Sequence, residues 1–204
     1  MYIPNSNQFI DQNEVIEFMK RFSFATIITA NNNLPIASHL PFIVNKDNNQ
    51  IILISHFAKL NEQWKEIEKN TCLVIFTEPH AYISPKHYDK SQNVPTWNYI
   101  SVHAYGIGRL VLENERITEI LEHTIENYEK AYKQQWDILS DEYKTNLKKG
   151  IVVFEIVVND IQAKKKLSQN RTNSEKEKII SSLASSSITN EQMIAHYMNK
   201  EIIH

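Results

Sequence analysis

Two tight reversals in the first third of the chain limit the fold more than any other feature. Phe24-Ala25-Thr26-Ile27-Ile28-Thr29 reads as a strand, residues 31–33 as a turn, and Pro35 to Asn45 as a returning strand. Lys46-Asp47-Asn48-Asn49 turns the chain again, into an apolar strand from Ile51 to Ser55. Consecutive hairpins pair their strands antiparallel, whereas a parallel βαβ unit needs a long crossover between strands. The chain therefore begins an antiparallel meander, the start of a barrel. Pro41 lies inside the second strand and has no N–H for a ladder, which requires a bulge or an edge position there.

The remaining strands follow from the same signals. Thr71 to Phe76 is an apolar run, and Glu78 to Ser84 reads as a further extended segment ending in a loop at Pro85. After Val94-Pro95-Thr96 a long strand begins, with Trp97, Tyr99, Ser101, His103 and Tyr105 on one face and Asn98, Ile100, Val102 and Ala104 on the other. So aromatic a face fits a cleft or a subunit interface better than bare solvent. Ile151 to Val158 is the last strand. Helices are expected after an Asp11 N-cap, where Val15, Ile16, Phe18, Met19 and Phe22 recur at helical spacing, and over about 114–133 and 140–148. A further helix near 174–183 leads into the serine-rich stretch 181–187, read as a linker, and a marginal last helix. The fold class is mainly β with α (α+β). At 204 residues the chain makes one domain over 1–171, with the 114–148 helices inserted before the last strand, and a helical tail over 172–204.

Composition removes several function classes. A formal net charge of −2 argues against a generally basic nucleic-acid binder. Cys72 is the single cysteine, so an intrachain disulfide and a cysteine zinc site are both excluded, and a small buried hydrophobe is the natural reading. No secretory signal opens the chain and no apolar run approaches a membrane span, so a cytoplasmic protein without membrane partners is expected. The three glycines, at 106, 108 and 150, form neither G-x-G-x-x-G nor a P-loop. A phosphate bound here must be held by side chains and a few backbone N–H groups.

One junction offers such groups. Ser55-His56-Phe57-Ala58-Lys59-Leu60-Asn61-Glu62-Gln63-Trp64 passes from strand to helix and gathers a hydroxyl, an imidazole, a cation, two amides and an indole. A strand-to-helix turn with such side chains suits an anion attached to a flat ring. The plainer reading is a surface turn capped by Ser55, with Trp64 packed on the core. The eight histidines include no pairing at metal-ligand spacing, so no metal site is expected. Lys164-Lys165-Lys166 is by default a solvated face. Contact with DNA is the sharper alternative, but no recognition helix accompanies it.

Taken together, these blocks resemble the PaiB-type family of FMN-binding negative transcriptional regulators. The resemblance rests on Met1-Tyr2-Ile3-Pro4, Ala37-Ser38-His39-Leu40-Pro41, His56-Phe57-Ala58-Lys59 with Asn61 and Gln63-Trp64, and Pro79 to Pro85. It continues through Val94-Pro95-Thr96-Trp97-Asn98-Tyr99, Val102-His103-Ala104 and Lys166-Leu167-Ser168-Gln169-Asn170-Arg171. It implies a six-stranded antiparallel FMN-binding split barrel with flanking helices, homodimeric, with flavin at the subunit interface. By position it nominates Ser38 and His39, then Ser55, His56, Lys59 and Gln63, and, toward the C-terminus, Lys166, Gln169 and Arg171 as FMN contacts. Trp97, Asn98 and His103 would face the ring or the partner subunit. Lys59 stands where many members carry Arg, which keeps the charge but loses the bidentate grip. Two rival readings go with the fold: a flavin-dependent NAD(P)H oxidoreductase, and a haem-binding or haem-degrading protein.

Overall fold

A computed structural model of the chain describes residues 1–48 and 50–203. Asn49 of the expected second turn and His204 lie outside the described residues. The strands are Phe24–Asn31 (β1), Leu34–Pro41 (β2), Ile43–Asp47 (β3), Gln50–Ala58 (β4), Cys72–Ile83 (β5), Thr96–Leu110 (β6) and Ile151–Lys166 (β7). They form one sheet in the order β2-β1-β5-β6-β7-β4-β3. The architecture is the antiparallel sheet with flanking helices that the sequence implies, and it is an open barrel with β2 and β3 at its two ends.

Seven strands replace the expected six, and the reason lies at Phe42. The run Pro35–Asn45 is two strands rather than one. Phe42, 1% exposed, steps out of the ladder and donates its N–H to the Ser23 carbonyl at 2.8 Å. Before it, β2 pairs back onto β1, from Phe24 opposite Pro41 to Asn31 opposite Leu34. After it, β3 pairs forward onto β4, from Ile43 opposite Ile54 to Asp47 opposite Gln50. Pro41 closes an end strand of the sheet, where its missing N–H costs no ladder bond. Farther on, the two runs on either side of Thr77 are one continuous strand, β5.

The first helix, Gln12–Arg21 (α1), starts as its sequence requires: the Asp11 carboxylate accepts from the N–H groups of Asn13 and Glu14 at 2.8 and 2.9 Å. The stretch between β6 and β7 holds Asn114–Tyr128 (α2), Lys133–Ile138 (α3) and Asp141–Lys149 (α4). Asn173–Ala184 (α5) opens on a full capping box between Thr172 and Glu175, and Thr189–Ile203 (α6) follows. The serine-rich stretch is only partly a connection: Ser181 and Ser182 lie in the last turn of α5, and residues 185–188 join the two helices.

The chain divides into two compact units. The first comprises Met1–Val15, Phe76–His103 and the residues from Gln162 onward; the second comprises Ile16–Ile75 and Ala104–Ile161. In the second unit the Phe57 ring stacks on Phe154 at 4.7 Å and Phe42 meets Phe154 edge-on at 6.2 Å. Ile43, Ile54 and Val153 pack with Ile120 of α2 beside them. Cys72 is fully buried there, and burial pushes its thiol up to about 11, so it is an inert hydrophobe. Gly108 is needed for closeness: its N–H reaches the Ile67 carbonyl at 2.9 Å, and a Cβ would stand 2.7 Å from the Ile67 side chain. In the first unit Ile179 and Leu183 of α5 and Ile194, Ala195 and Met198 of α6 are buried, each at no more than 5% exposure. Among the described residues no helix is long and apolar enough to cross a membrane.

Candidate functional site

The nominated residues fall into two groups, one in each unit. In the second unit, the junction after β4 is a turn followed by a single 3-10 turn, Glu62–Lys65. Asn61, not Ser55, caps it, accepting from the Gln63 N–H at 3.2 Å. Ser55 is buried and donates to the Pro41 carbonyl at 2.7 Å. Gln63 is 2% exposed and saturated with partners. Its amide nitrogen shares contacts with the Ile27 carbonyl (3.3 Å), the Thr29 hydroxyl (3.2 Å) and the Ile36 carbonyl (3.1 Å). Its amide oxygen accepts from Ser38 at 2.7 Å, and Ser38 in turn accepts from Asn61 at 2.8 Å. This amide network ties β1, β2 and the turn together. Trp64 is half-buried and its indole N–H bonds the Lys59 carbonyl of the same turn at 3.1 Å.

The groups left facing outward here are few. Lys59 is exposed on the turn, and its backbone N–H donates to the Gly150 carbonyl at 2.9 Å. His39 is exposed on β2, with its ring stacked 6.4 Å from Phe24. His56 is half-buried on β4, opposite Val153 of β7, and burial lowers its pKa so that the neutral imidazole is favoured.

The first unit holds a cavity of about 370 Å³ walled by Thr96, Asn98, Lys166, Ser168, Gln169 and Arg171, with Ser6 and Asn7 at one side. Four nominated residues thus meet in one place. Lys166 extends from the end of β7 to the Thr96 hydroxyl, and burial, ahead of the nearby Lys164 charge, lowers its pKa. Arg171 donates to the Asn93 side chain at 2.8 Å and lies 3.6 Å over the Tyr88 ring. Asn98 is fully buried, accepting from Ser168 at 3.1 Å and donating to the Met198 sulfur at 3.4 Å. Gln169 staples the turn onto itself, accepting from the Leu167 N–H at 2.8 Å and donating to the Lys165 carbonyl at 2.6 Å. Ser168 holds φ 59°, a left-handed conformation that costs a non-glycine residue about 1–2 kcal/mol. That turn aims residues 169–171 into the cavity wall.

Two nominated residues of this unit stand apart from the cavity lining. Trp97 is 53% exposed and its ring lies 5.8 Å from both His80 and Tyr82, an open aromatic cluster. His103 is half-buried on β6, its pKa lowered by burial and then by the positive N-terminus. The alternation expected for β6 is present, with Asn98, Ile100, Val102 and Ala104 all fully buried.

The basic run is not the solvated face that its composition suggests. Lys164 is 7% exposed, donates to the Tyr2 carbonyl at 3.2 Å and sits 5.2 Å from the Tyr99 ring centroid. Lys165 bridges Glu14 at 3.2 Å and Glu201 at 2.6 Å; burial alone would lower its pKa, but the two carboxylates hold it above the usual lysine value. Only Lys166 reaches the cavity. Sequence reading missed Ser6, Asn7, Thr96, Ser168 and Asn170 as cavity lining. Three of them, Thr96, Ser168 and Asn170, sit inside the family-like blocks, whereas Ser6 and Asn7 carry no sequence signal beyond following Pro4.

Comparison with known proteins adds an independent line. The model of a family described as Putative FMN-binding domain matches residues 1–160. The chain is 39% identical over 205 residues to the "Protease synthase and sporulation protein PAI 2" of Bacillus subtilis (strain 168), covering 99% of this chain and 98% of that one. Among solved structures, the flavocytochrome Anf3 from Azotobacter vinelandii superposes with a TM-score of 0.62 at 15% identity, over 76% of this chain and 67% of that one. A FAD and heme binding protein from Mycobacterium smegmatis also gives a TM-score of 0.62, at 9% identity, over 83% and 78% of the two chains. At such identities the structures share the fold alone.

Proposed function

The chain belongs to the family described as Putative FMN-binding domain, and on that premise we propose that it binds FMN, with the flavin phosphate seated in the Lys166–Arg171 cavity. The observation that carries this reading is the convergence of two cations, Lys166 and Arg171, with the hydroxyl of Thr96 on one concave wall. A phosphate monoester is near dianionic at neutral pH and is best held by charge-assisted hydrogen bonds from such groups. Thr96 keeps the Lys166 ammonium on the wall, and the stack on Tyr88 orients the Arg171 guanidinium. The exposed rings of Trp97 and Tyr82 suit the flat isoalloxazine or the partner subunit beside it. When bound, the flavin supplies the electron and hydride chemistry.

In the second unit, His39, His56 and Lys59 are the remaining proposed contacts. Ser38, Ser55 and Gln63 hold them in place, because their donors are committed within the protein. We place the protein in the cytoplasm as a homodimer with flavin at the subunit interface; Phe24, Leu34 and Ile36, at 69%, 67% and 39% exposure, favour a second copy as cover. We propose a role as a negative transcriptional regulator on the resemblance of the sequence blocks to the PaiB-type family; the Bacillus relative is named for protease synthesis and sporulation. Because Lys164 and Lys165 are engaged internally, we propose that regulation works indirectly rather than through DNA contact by this run.

The test is an FMN titration of the ligand-free protein, read by quenching of flavin fluorescence, with Lys166→Ala alongside. Saturable quenching that weakens in the variant is the expected result. No quenching at high protein concentration sinks the flavin reading, and a Soret band on adding haem would then favour the haem rival. Anaerobic NADH addition to the loaded protein separates a binder from an oxidoreductase: bleaching of the flavin bands marks the enzyme.

A further inference from the structure

The matched family model ends at residue 160, so nothing so far gives α5 and α6 a task. Their contacts point to one. The cavity floor is Asn98, fully buried, with one amide atom on each side of a short relay. On the cavity side its oxygen accepts from Ser168, the left-handed residue that starts the Gln169-Asn170-Arg171 wall. On the far side its nitrogen donates to the sulfur of Met198, a residue of α6 that is 2% exposed. A second tie joins the same two regions: Lys165, whose carbonyl accepts from Gln169, is ion-paired with Glu201 of α6. The third tie runs through α5, where the buried Glu175 accepts from the Asp89 N–H at 2.9 Å and steadies the loop that carries Asn93, the partner of Arg171.

We propose that the C-terminal helix pair is part of the binding site, with Met198 as a positioning residue that fixes the cavity turn 168–171 through Asn98. The sulfur is placed as an acceptor for a buried amide that would otherwise lose a partner, and losing it frees Asn98 to rotate away from Ser168. Since Ser168 sits in a conformation that few non-glycine residues adopt, the turn depends on that hold to keep Arg171 against the cavity. Binding in the cavity and docking of α6 are then linked in both directions. The consequence for ligand rests on the reading of the cavity as the flavin-phosphate site; the link between α6 and the turn does not.

Two substitutions separate positioning from packing. Met198→Leu keeps the volume and apolar character but removes the acceptor, whereas Met198→Gln restores an acceptor at the cost of a buried polar group. Packing alone makes the Leu variant the milder of the two. Positioning gives the opposite order at the turn. In hydrogen exchange on the ligand-free full chain, amides of 168–171 should exchange about threefold to tenfold faster in Met198→Leu and return toward wild type in Met198→Gln. Equal rates in all three proteins, or the Gln variant faster than the Leu variant, overturn the proposal. Should Met198→Gln fail to fold, Ser168→Gly probes the relay from the other end. It relieves the left-handed strain, deletes the hydroxyl, and should speed exchange around residue 198 by about threefold; unchanged exchange there overturns the link. FMN titration of the same proteins is expected to follow the exchange order. If FMN does not bind wild type, the functional reading falls while the exchange pattern still decides the relay. If it binds all variants alike while the turn loosens, the turn is not part of the ligand's grip and the proposal fails.

Discussion

The amide network around Gln63 and the cavity around Lys166 are built from the same residue types and are put to opposite uses. In the network, Ser38 donates to Gln63, Asn61 donates to Ser38, and Gln63 donates to two strand carbonyls and the Thr29 hydroxyl, and Gln63 is left 2% exposed. In the cavity, the polar side chains fix each other's positions yet leave Lys166 and Arg171 lining open space. A buried amide whose donors are all used is scaffold; a cation braced by a neutral partner beside a void is equipment for an anion. Residue identity does not separate the two cases. Saturation does.

The sharpest way to break this comparison is Gln63→Ala. It strands the Ser38 hydroxyl and three strand groups and opens a small void, so unfolding in urea should show a loss of about 2–4 kcal/mol. The folded fraction should keep its FMN affinity within about threefold, since scaffold is lost and not grip. A large affinity loss at unchanged stability would place Gln63 in the site instead.

The converse variant is Lys166→Ala. Removing one charged donor to a phosphate is worth about 1.5–3 kcal/mol, so affinity should fall roughly tenfold to a hundredfold. Thermal stability should barely move, because half-buried Lys166 bonds a single hydroxyl, that of Thr96, among the described residues. Because burial lowers the Lys166 pKa, the remaining grip of wild type should also weaken as pH rises, at lower pH than an ordinary lysine would require. A flat affinity profile from neutral pH up to the normal lysine range argues against a role for this ammonium.

Histidines supply a smaller effect, read as stability of the ligand-free protein. Burial lowers the pKa of His56, His87 and His103 from the ordinary 6.5. Below that value the unfolded chain takes up protons that the folded chain refuses, so the stability these sites contribute is intact above pH 6.5 and is lost as pH falls toward their folded values. The melting temperature should drop between pH 7 and pH 5, and His56→Gln should flatten part of that slope. An unchanged slope would remove His56 from the set.

The fold was largely legible in the sequence because antiparallel strands announce themselves locally. Alternation identified both faces of β6, and Asp11 marked a helix start by short-range hydrogen bonds; the Thr172–Glu175 capping box is equally local but went unread. The break at Phe42 was not legible. Pro41 signalled an irregularity, but whether one strand bulges or two strands part is decided by pairing with β1 and β4, which are long-range partners. The candidate site was half legible for the same reason. Lys166, Gln169 and Arg171 stand close in sequence and meet in one cavity, whereas Ser6 and Asn7 reach it from a segment some 160 residues earlier. The lysine run misled because its three members alternate across a strand end, and each finds a different partner: Tyr2, a pair of carboxylates, and Thr96.

Lys59 is where the comparison is most finely balanced. It is the one cation nominated in the second unit, and it is exposed on its turn. An exposed lysine interacts through high dielectric and surrenders side-chain entropy when it is fixed, so its contribution to an anion is modest and screened by salt. Lys59→Ala should therefore weaken FMN binding by only about twofold to fivefold at low ionic strength, with the difference fading in high salt. Lys59→Arg supplies the sharper contrast. A guanidinium regains the bidentate fork, so if the phosphate comes within reach of this turn the arginine variant should bind more tightly than wild type. If alanine, lysine and arginine at position 59 bind FMN alike at low salt, the turn takes no part in holding the phosphate, and the anion's grip belongs to the Lys166 cavity alone.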